Sequence, residues 1–192
     1  MSTPERRAAA FLSGITYLRI VLVPVIMALI LAGDRVEFAY VAAGILFAIA
    51  AATDFFDGLL ARRWSQTSTL GSFLDTTADK LLVSGALVAL VAVDRASPWI
   101  AFLIIGRELL ILGLRGAVAA DGEVMKPSIW GKTKAAVQFV AIFLAIMRTS
   151  EKLGPFYPDQ YVMFLAGVLT IGSAVDYVAR FSGVLSGSRE RR

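Results

Sequence analysis

Four aspartates stand at fixed spacings between two strongly apolar stretches of the chain. Asp54 and Asp57 are three residues apart, so on a helix they would project from one face. Asp75 and Asp79 are four residues apart and would do the same on the next helix. Four carboxylates that meet repel one another unless cations neutralise them. Carboxylate oxygens suit hard divalent ions such as Mg²⁺ or Mn²⁺, and a pair of ions would suit phosphoryl transfer.

Small, basic and hydroxyl residues accompany these aspartates. Gly58 and Gly71 each remove a side chain beside a carboxylate, so that a ligand or another backbone segment can approach closely. The guanidinium of Arg62 could bind a diphosphate oxygen, and Ser68 offers a hydroxyl nearby. A purely structural interpretation also stays open, in which the aspartates pair with neighbouring arginines and with Lys80.

The missing residue types restrict the chemistry further. The chain contains no His and no Cys. An imidazole base, a phosphohistidine intermediate, a thiolate nucleophile and a disulfide framework are therefore excluded. Any general base in this chain is most simply a carboxylate.

The stretches that must position the aspartates are apolar enough to cross a membrane. The chain has 192 residues, of which 57% are hydrophobic and 18% charged, and its mean hydropathy is +0.71. Apolar runs of about 20 residues span a bilayer, where the backbone has to be helical. The sequence predicts one all-α integral membrane domain over residues 1–192. Its six transmembrane helices are expected at roughly 15–32, 39–57, 75–93, 98–117, 132–148 and 160–179.

Basic residues predict the orientation of these helices. Arginines and lysines are concentrated near both termini and in the second and fourth connections, which the positive-inside rule assigns to the cytoplasm. We therefore expect cytoplasmic termini and a cytoplasmic aspartate cluster. Residues 1–12 are expected as a short interfacial helix or a disordered end, and 183–192 as a basic tail. The net charge of +4 reflects this topology, and no aromatic-interleaved basic patch indicates nucleic-acid binding.

The aspartates belong to a longer pattern, D-x2-D-G-x2-A-R-x8-G-x3-D-x3-D. It resembles the signature of the CDP-alcohol phosphatidyltransferase family at every fixed position. The resemblance implies a membrane enzyme that transfers a phosphatidyl group from CDP-diacylglycerol to an alcohol and releases CMP. It also implies that Asp54, Asp57 and Asp75 hold metal ions, and that Asp79 is the base and shares a metal ion. The residues expected to contact the CDP-lipid are Gly58, Ala61, Arg62, Ser68 and Gly71.

A looser resemblance spans nearly the whole chain and concerns the acceptor alcohol. The stretch GRELLILGLRGAVAADGEVMKPSIWGKTKAAVQ resembles the corresponding region of bacterial phosphatidylglycerophosphate synthases. TYLRIVLVP and SAVDYVAR resemble the first and last helices of that subfamily. The resemblance implies glycerol 3-phosphate as the acceptor, and with it a multi-pass enzyme of the inner (cytoplasmic) membrane whose active site faces the cytoplasm. A homodimer is left open.

Four cations of this region are candidates for binding the acceptor's phosphate. Arg107 and Arg115 are separated by about two helical turns, so one pocket could use both. Glu108 is nearly in line with Arg115 and could orient it. A competing interpretation is that some of these side chains only extend to the membrane surface. The candidate set is Arg107, Arg115, Lys132 and Lys134.

Other functions stay open on the sequence alone. Leu12-Ser13 and Thr76-Thr77 depart from the pattern of the subfamily. Inositol phosphate, phosphatidylglycerol or another alcohol could therefore be the acceptor. A divalent-cation transporter is a remote alternative, because a transporter places its acidic residues near the membrane midplane. The aspartates here are expected at helix ends.

Overall fold

The chain folds into a bundle of α-helices. The computed structural model describes the backbone of residues 3–64, 69–120 and 129–185, and the side chains of residues 14–53, 74, 76–119 and 133–179. Within these ranges the only extended pairing is an isolated bridge between Leu153 and Phe156. The prediction of an all-helical fold is confirmed. The described helices are α1 (Thr3–Ala32), α2 (Ala39–Trp64), α3 (Thr69–Ala92), α4 (Pro98–Ala120), α5 (Ile129–Ile146) and α6 (Pro158–Leu185).

Each predicted apolar segment corresponds to one helix, but several helices are longer than predicted. α2 continues to Trp64 and α3 already begins at Thr69. The stretch between the two predicted helices is thus helical over residues 62–64 and 69–72, and residues 65–68 lie outside the described residues. Leu, Ala and Arg favour helix, and no Pro interrupts this stretch. α1 likewise begins at Thr3, so most of the expected N-terminal segment continues into the first apolar helix.

Helix α3 lies at the centre of the bundle. It packs against α1, α2, α4 and α5, while α6 packs against α4 and α5. α1 approaches α3 closely, because a Cβ atom built on Gly85 would lie 2.6 Å from Cγ1 of Val23. Small residues allow such close contact between membrane helices. Asp79, in the first half of α3, is thus placed beside several other helices.

The outer surface of the bundle is apolar. Large hydrophobic side chains are exposed along the helices, whereas soluble monomers rarely expose contiguous apolar surface of this kind. In the part of the chain that the structure describes, Gly14–Ala32 and Pro158–Ala179 are long and apolar enough to cross a membrane. Ala39–Thr53 and Thr133–Ile146 are shorter apolar stretches. These features are consistent with a membrane protein.

Two arginines connect the loops at the end of the bundle remote from Asp79. Arg148 forms an ion pair with the buried carboxylate of Asp159, with 2.8 Å between Nη2 and Oδ2. Nη2 of Arg148 also donates to the Arg95 carbonyl at 2.8 Å. Arg95 in turn donates to the carbonyl of Ile146 at 2.7 Å and stacks 3.5 Å from the ring centre of Tyr40. These contacts join the ends of α3 and α5 to the starts of α2 and α6.

Candidate active site

The predicted aspartates lie inside two consecutive helices. Asp54 and Asp57 belong to the second half of α2, whereas Asp75 and Asp79 belong to the first half of α3. They were expected at helix ends, but because both helices are longer than predicted they lie about two to three turns from the nearest end. Of these four, only the side chain of Asp79 lies within the described residues. The remaining predicted site side chains outside that range are those of Gly58, Ala61, Arg62, Ser68, Gly71 and Lys132.

The carboxylate of Asp79 has one oxygen available for a ligand. Its Oδ1 is buried and has no hydrogen-bond partner among the described residues. Its Oδ2 lies 3.4 Å from the ammonium nitrogen of Lys80. A buried oxygen without a partner is unfavourable, and a divalent ion is a suitable partner for it. Asp79 therefore fits a metal-ligand role, although the described side chains alone contain no group of three metal-binding residues.

A cavity of about 260 Å³ joins Asp79 to three of the four predicted cations. Arg107, Arg115 and Lys134 all line it, so helices α3, α4 and α5 bring together residues that are far apart in sequence. The apolar residues of its lining are Val83, Ile111, Leu112, Ala135 and Phe139. Its other polar lining residues are Thr76, Lys80, Glu108, Gln138 and Tyr177.

Arg107 connects α4 to α6 at the wall of this cavity. Its Nη2 donates to the Ser173 hydroxyl at 2.5 Å, and its Nη1 donates to Oε1 of Glu108 at 3.3 Å. The guanidinium carbon lies 5.6 Å from the ring centre of Tyr177. Its Nε is buried and donates no hydrogen bond to the described residues. The guanidinium is thus held on three sides and retains donor capacity for an anion.

Glu108 binds cations from three helices. Its Oε2 lies 2.5 Å from Nζ of Lys80, and its Oε1 accepts hydrogen bonds from Lys134 and Arg107. The expectation that Glu108 orients Arg115 is wrong. Two helical turns separate these residues by about 10 Å along the axis, and Glu108 finds its partners across the helix interfaces. Arg115 is exposed at the cavity and has no polar partner among the described residues.

Sequence reasoning missed several polar residues of this site. Lys80 received no functional role, and neither did the residues of α6. Thr170, Ser173 and Tyr177 are buried and spaced so that they share one face of that helix. Thr170 accepts a hydrogen bond at 3.0 Å from Gln138 of α5. The sequence feature that could have indicated these residues is their polarity within an otherwise apolar helix. Polar side chains inside a membrane are energetically unfavourable and usually have a function.

Comparison with known proteins gives consistent results over most of the chain. The model of the CDP-alcohol phosphatidyltransferase family matches residues 13–172. A probable phosphatidylglycerophosphate synthase of Mycobacterium tuberculosis is 40% identical, covering 96% of this chain and 87% of the relative. The CDP-diacylglycerol–glycerol-3-phosphate 3-phosphatidyltransferase of Bacillus subtilis is 36% identical over 86% of this chain and 92% of its own length. Its counterpart of Escherichia coli K12 is 39% identical over 72% and 77%.

Proposed function

Because the chain belongs to the CDP-alcohol phosphatidyltransferase family, we propose that it transfers a phosphatidyl group from CDP-diacylglycerol to glycerol 3-phosphate. The products are phosphatidylglycerophosphate and CMP. The family resemblance of the aspartate pattern is thus confirmed, and the printed names of the relatives specify this acceptor. The observation that carries the proposal is the cavity, which joins a carboxylate to several cations.

The cavity suits an acceptor that has a hydroxyl at one end and a phosphate at the other. Arg107, Arg115 and Lys134 would bind the phosphate by charge-assisted hydrogen bonds, and Lys132 is proposed as a fourth cation on sequence grounds. Asp79 takes the proton of the acceptor hydroxyl. The hydroxyl oxygen then forms a bond to the phosphorus of the lipid phosphate, and the bond from that phosphorus to the CMP oxygen breaks. Positioning and charge stabilisation supply most of the catalysis.

The carboxylates are proposed to hold two divalent ions, Mg²⁺ or Mn²⁺. The buried Oδ1 of Asp79 supports this assignment, because it has no other partner among the described residues. When bound, such ions neutralise the carboxylates and the charge of the diphosphate. The proposed ligands are Asp54, Asp57, Asp75 and Asp79, and the proposed contacts of the CDP-lipid are Gly58, Ala61, Arg62, Ser68 and Gly71.

The acceptor is tested by CMP release from purified protein with CDP-diacylglycerol and Mg²⁺ or Mn²⁺. Glycerol 3-phosphate, inositol 1-phosphate, phosphatidylglycerol and glycerol are supplied one at a time. We expect release with glycerol 3-phosphate, and a kcat/KM at least about 100-fold lower with glycerol, because the buried cations then stay unpaired. Release with a different acceptor alone would contradict the assigned acceptor. Absence of release with all of them would contradict the transferase assignment.

We also propose that all six helices cross the membrane and that the cavity opens to the cytoplasm. The cavity contains Asp79 of the aspartate pattern, and the basic residues predict that the connection between α2 and α3 is cytoplasmic. The chain has no Cys, so a single introduced thiol gives an unambiguous signal. In intact cells an impermeant maleimide should label Glu151→Cys and should label Ser65→Cys only after permeabilisation. The reverse pattern would place the cavity on the outer face.

A further inference from the structure

The three cations around Glu108 exceed what one carboxylate can neutralise. Lys80, Arg107 and Lys134 all lie within ion-pair distance of it, and the side chain of Lys134 is only 3% exposed. Three cations and one carboxylate leave two formal positive charges at the wall of the cavity. Excess charge away from water is unfavourable unless a further anion arrives.

The carboxylate of Asp79 is the nearest further anion, and it neutralises only part of this excess positive charge. It lies 3.4 Å from Lys80, which is longer than a good charge-assisted hydrogen bond. Asp79 is also the proposed base and metal ligand. With Arg115 and Asp79 included, the cavity lining holds four cations and two carboxylates, and a bound phosphate dianion would match this excess.

We propose that Glu108 is a positioning residue for the acceptor's phosphate. It holds the ammonium groups of Lys80 and Lys134 together although they come from different helices, α3 and α5. An ammonium has three N–H donors, so both lysines keep donors for a phosphate after binding Glu108. This inference rests on the proposed function, since it requires a phosphorylated acceptor. It adds Lys80 to the predicted phosphate-binding set.

Lys80 also determines how long the acceptor can be. Its ammonium nitrogen contacts both Asp79, the proposed base, and Glu108, the centre of the cation cluster. The phosphate site is therefore directly beside the base. A bound acceptor must carry its attacking hydroxyl and its phosphate close together, as a short phosphorylated polyol does.

The test compares Glu108→Gln with wild type in the CMP-release assay. Glutamine keeps the shape of the side chain but removes the charge that assembles the lysines. We expect the KM for glycerol 3-phosphate to rise about 10-fold or more. The KM for CDP-diacylglycerol should change by less than about 2-fold, since the proposed lipid contacts lie between Gly58 and Gly71. The Ki of inorganic phosphate as a competitive inhibitor should rise in parallel with the acceptor KM.

Two further variants separate positioning from stability. Glu108→Asp keeps the charge and should recover part of the acceptor affinity. Glu151→Gln, which changes an exposed residue at the other end of the bundle, should behave as wild type. If Glu108→Gln does not fold, Lys80→Gln provides the same test, because its side chain is partly exposed and we expect the same selective rise in acceptor KM.

Four outcomes would overturn the inference. Equal rises in both KM values, or a fall in kcat alone, would mean that Glu108 acts only through stability. A lower KM for glycerol 3-phosphate in Glu108→Gln would mean that the carboxylate competes with the phosphate. Failure of the proposed function is seen separately, as absence of release by the wild type with glycerol 3-phosphate. Even then, an unchanged affinity for inorganic phosphate, measured by calorimetry in Glu108→Gln and wild type, would contradict the positioning role.

Discussion

Asp79→Asn is expected to lower the kcat of CMP release by about 1,000-fold or more. A positioned general base contributes about 10²- to 10⁴-fold, and this substitution also removes the charge of a proposed metal ligand. Asparagine has nearly the same volume and cannot take the acceptor's proton. Lys80 retains Glu108 as its partner, at 2.5 Å, so the local packing should survive.

The measurement combines turnover with two controls for folding. Thermal unfolding in detergent, with and without CDP-diacylglycerol, shows whether the variant is folded and still binds the lipid. Asp94→Asn is the matched substitution, because Asp94 lies exposed just beyond the other end of α3. It should leave turnover unchanged. An Asp79→Asn enzyme within about 10-fold of wild type would remove the base assignment.

Arg107→Ala is expected to raise the KM for glycerol 3-phosphate by about 100-fold. The guanidinium offers a planar set of donors, and hydrogen bonds between charged groups contribute about 1.5–3 kcal/mol each. Loss of Arg107 also removes its hydrogen bond to the Ser173 hydroxyl and one of the three cations at Glu108. The KM for CDP-diacylglycerol should change much less, because the arginine lies in the acceptor cavity.

Conservative and distant variants define what the arginine contributes. Arg107→Lys keeps the charge but loses the planar pair of N–H donors that can bind two phosphate oxygens at once. Its acceptor KM should therefore be about 10-fold above wild type and below that of the alanine variant. Arg35→Ala removes an exposed arginine at the opposite end and should have no effect on either KM. Steady-state kinetics with each substrate varied in turn provide the comparison. Equal effects of Arg107→Ala on both substrates would place the arginine outside the acceptor pocket.

The helices of this protein could be predicted because their cause is local. Apolar runs of spanning length have to satisfy their own backbone hydrogen bonds, and each predicted run corresponds to one helix. The helix ends near the aspartates were less predictable. The predicted helices ended near residue 57 and began again near residue 75, yet α2 continues to Trp64 and α3 begins at Thr69. Polar residues need not end a helix whose backbone is already paired.

Some features of the candidate site could likewise be predicted from the sequence, and others could not. The spacing from Asp54 to Asp79 predicted a carboxylate cluster, since carboxylates three and four residues apart share a helix face. The reaction class was implied by the resemblance of the whole pattern to its family, and that family is confirmed. The structure brings the candidate cations Arg107, Arg115 and Lys134 to one cavity with Asp79, and their role in binding the acceptor's phosphate stays a prediction.

The partners of these cations were decided only by the tertiary structure. Lys134 is 26 residues from Glu108, and Ser173 is 66 residues from Arg107. Sequence spacing favoured Arg115 as the partner of Glu108, because both lie on one helix face. Packing of α3, α4 and α5 instead surrounds Glu108 with Lys80 and Lys134. Residue types and their spacing within one helix thus determined which groups could act. The contacts between helices decided which cation pairs with which carboxylate, because a buried charge binds the partner that the packing brings to it.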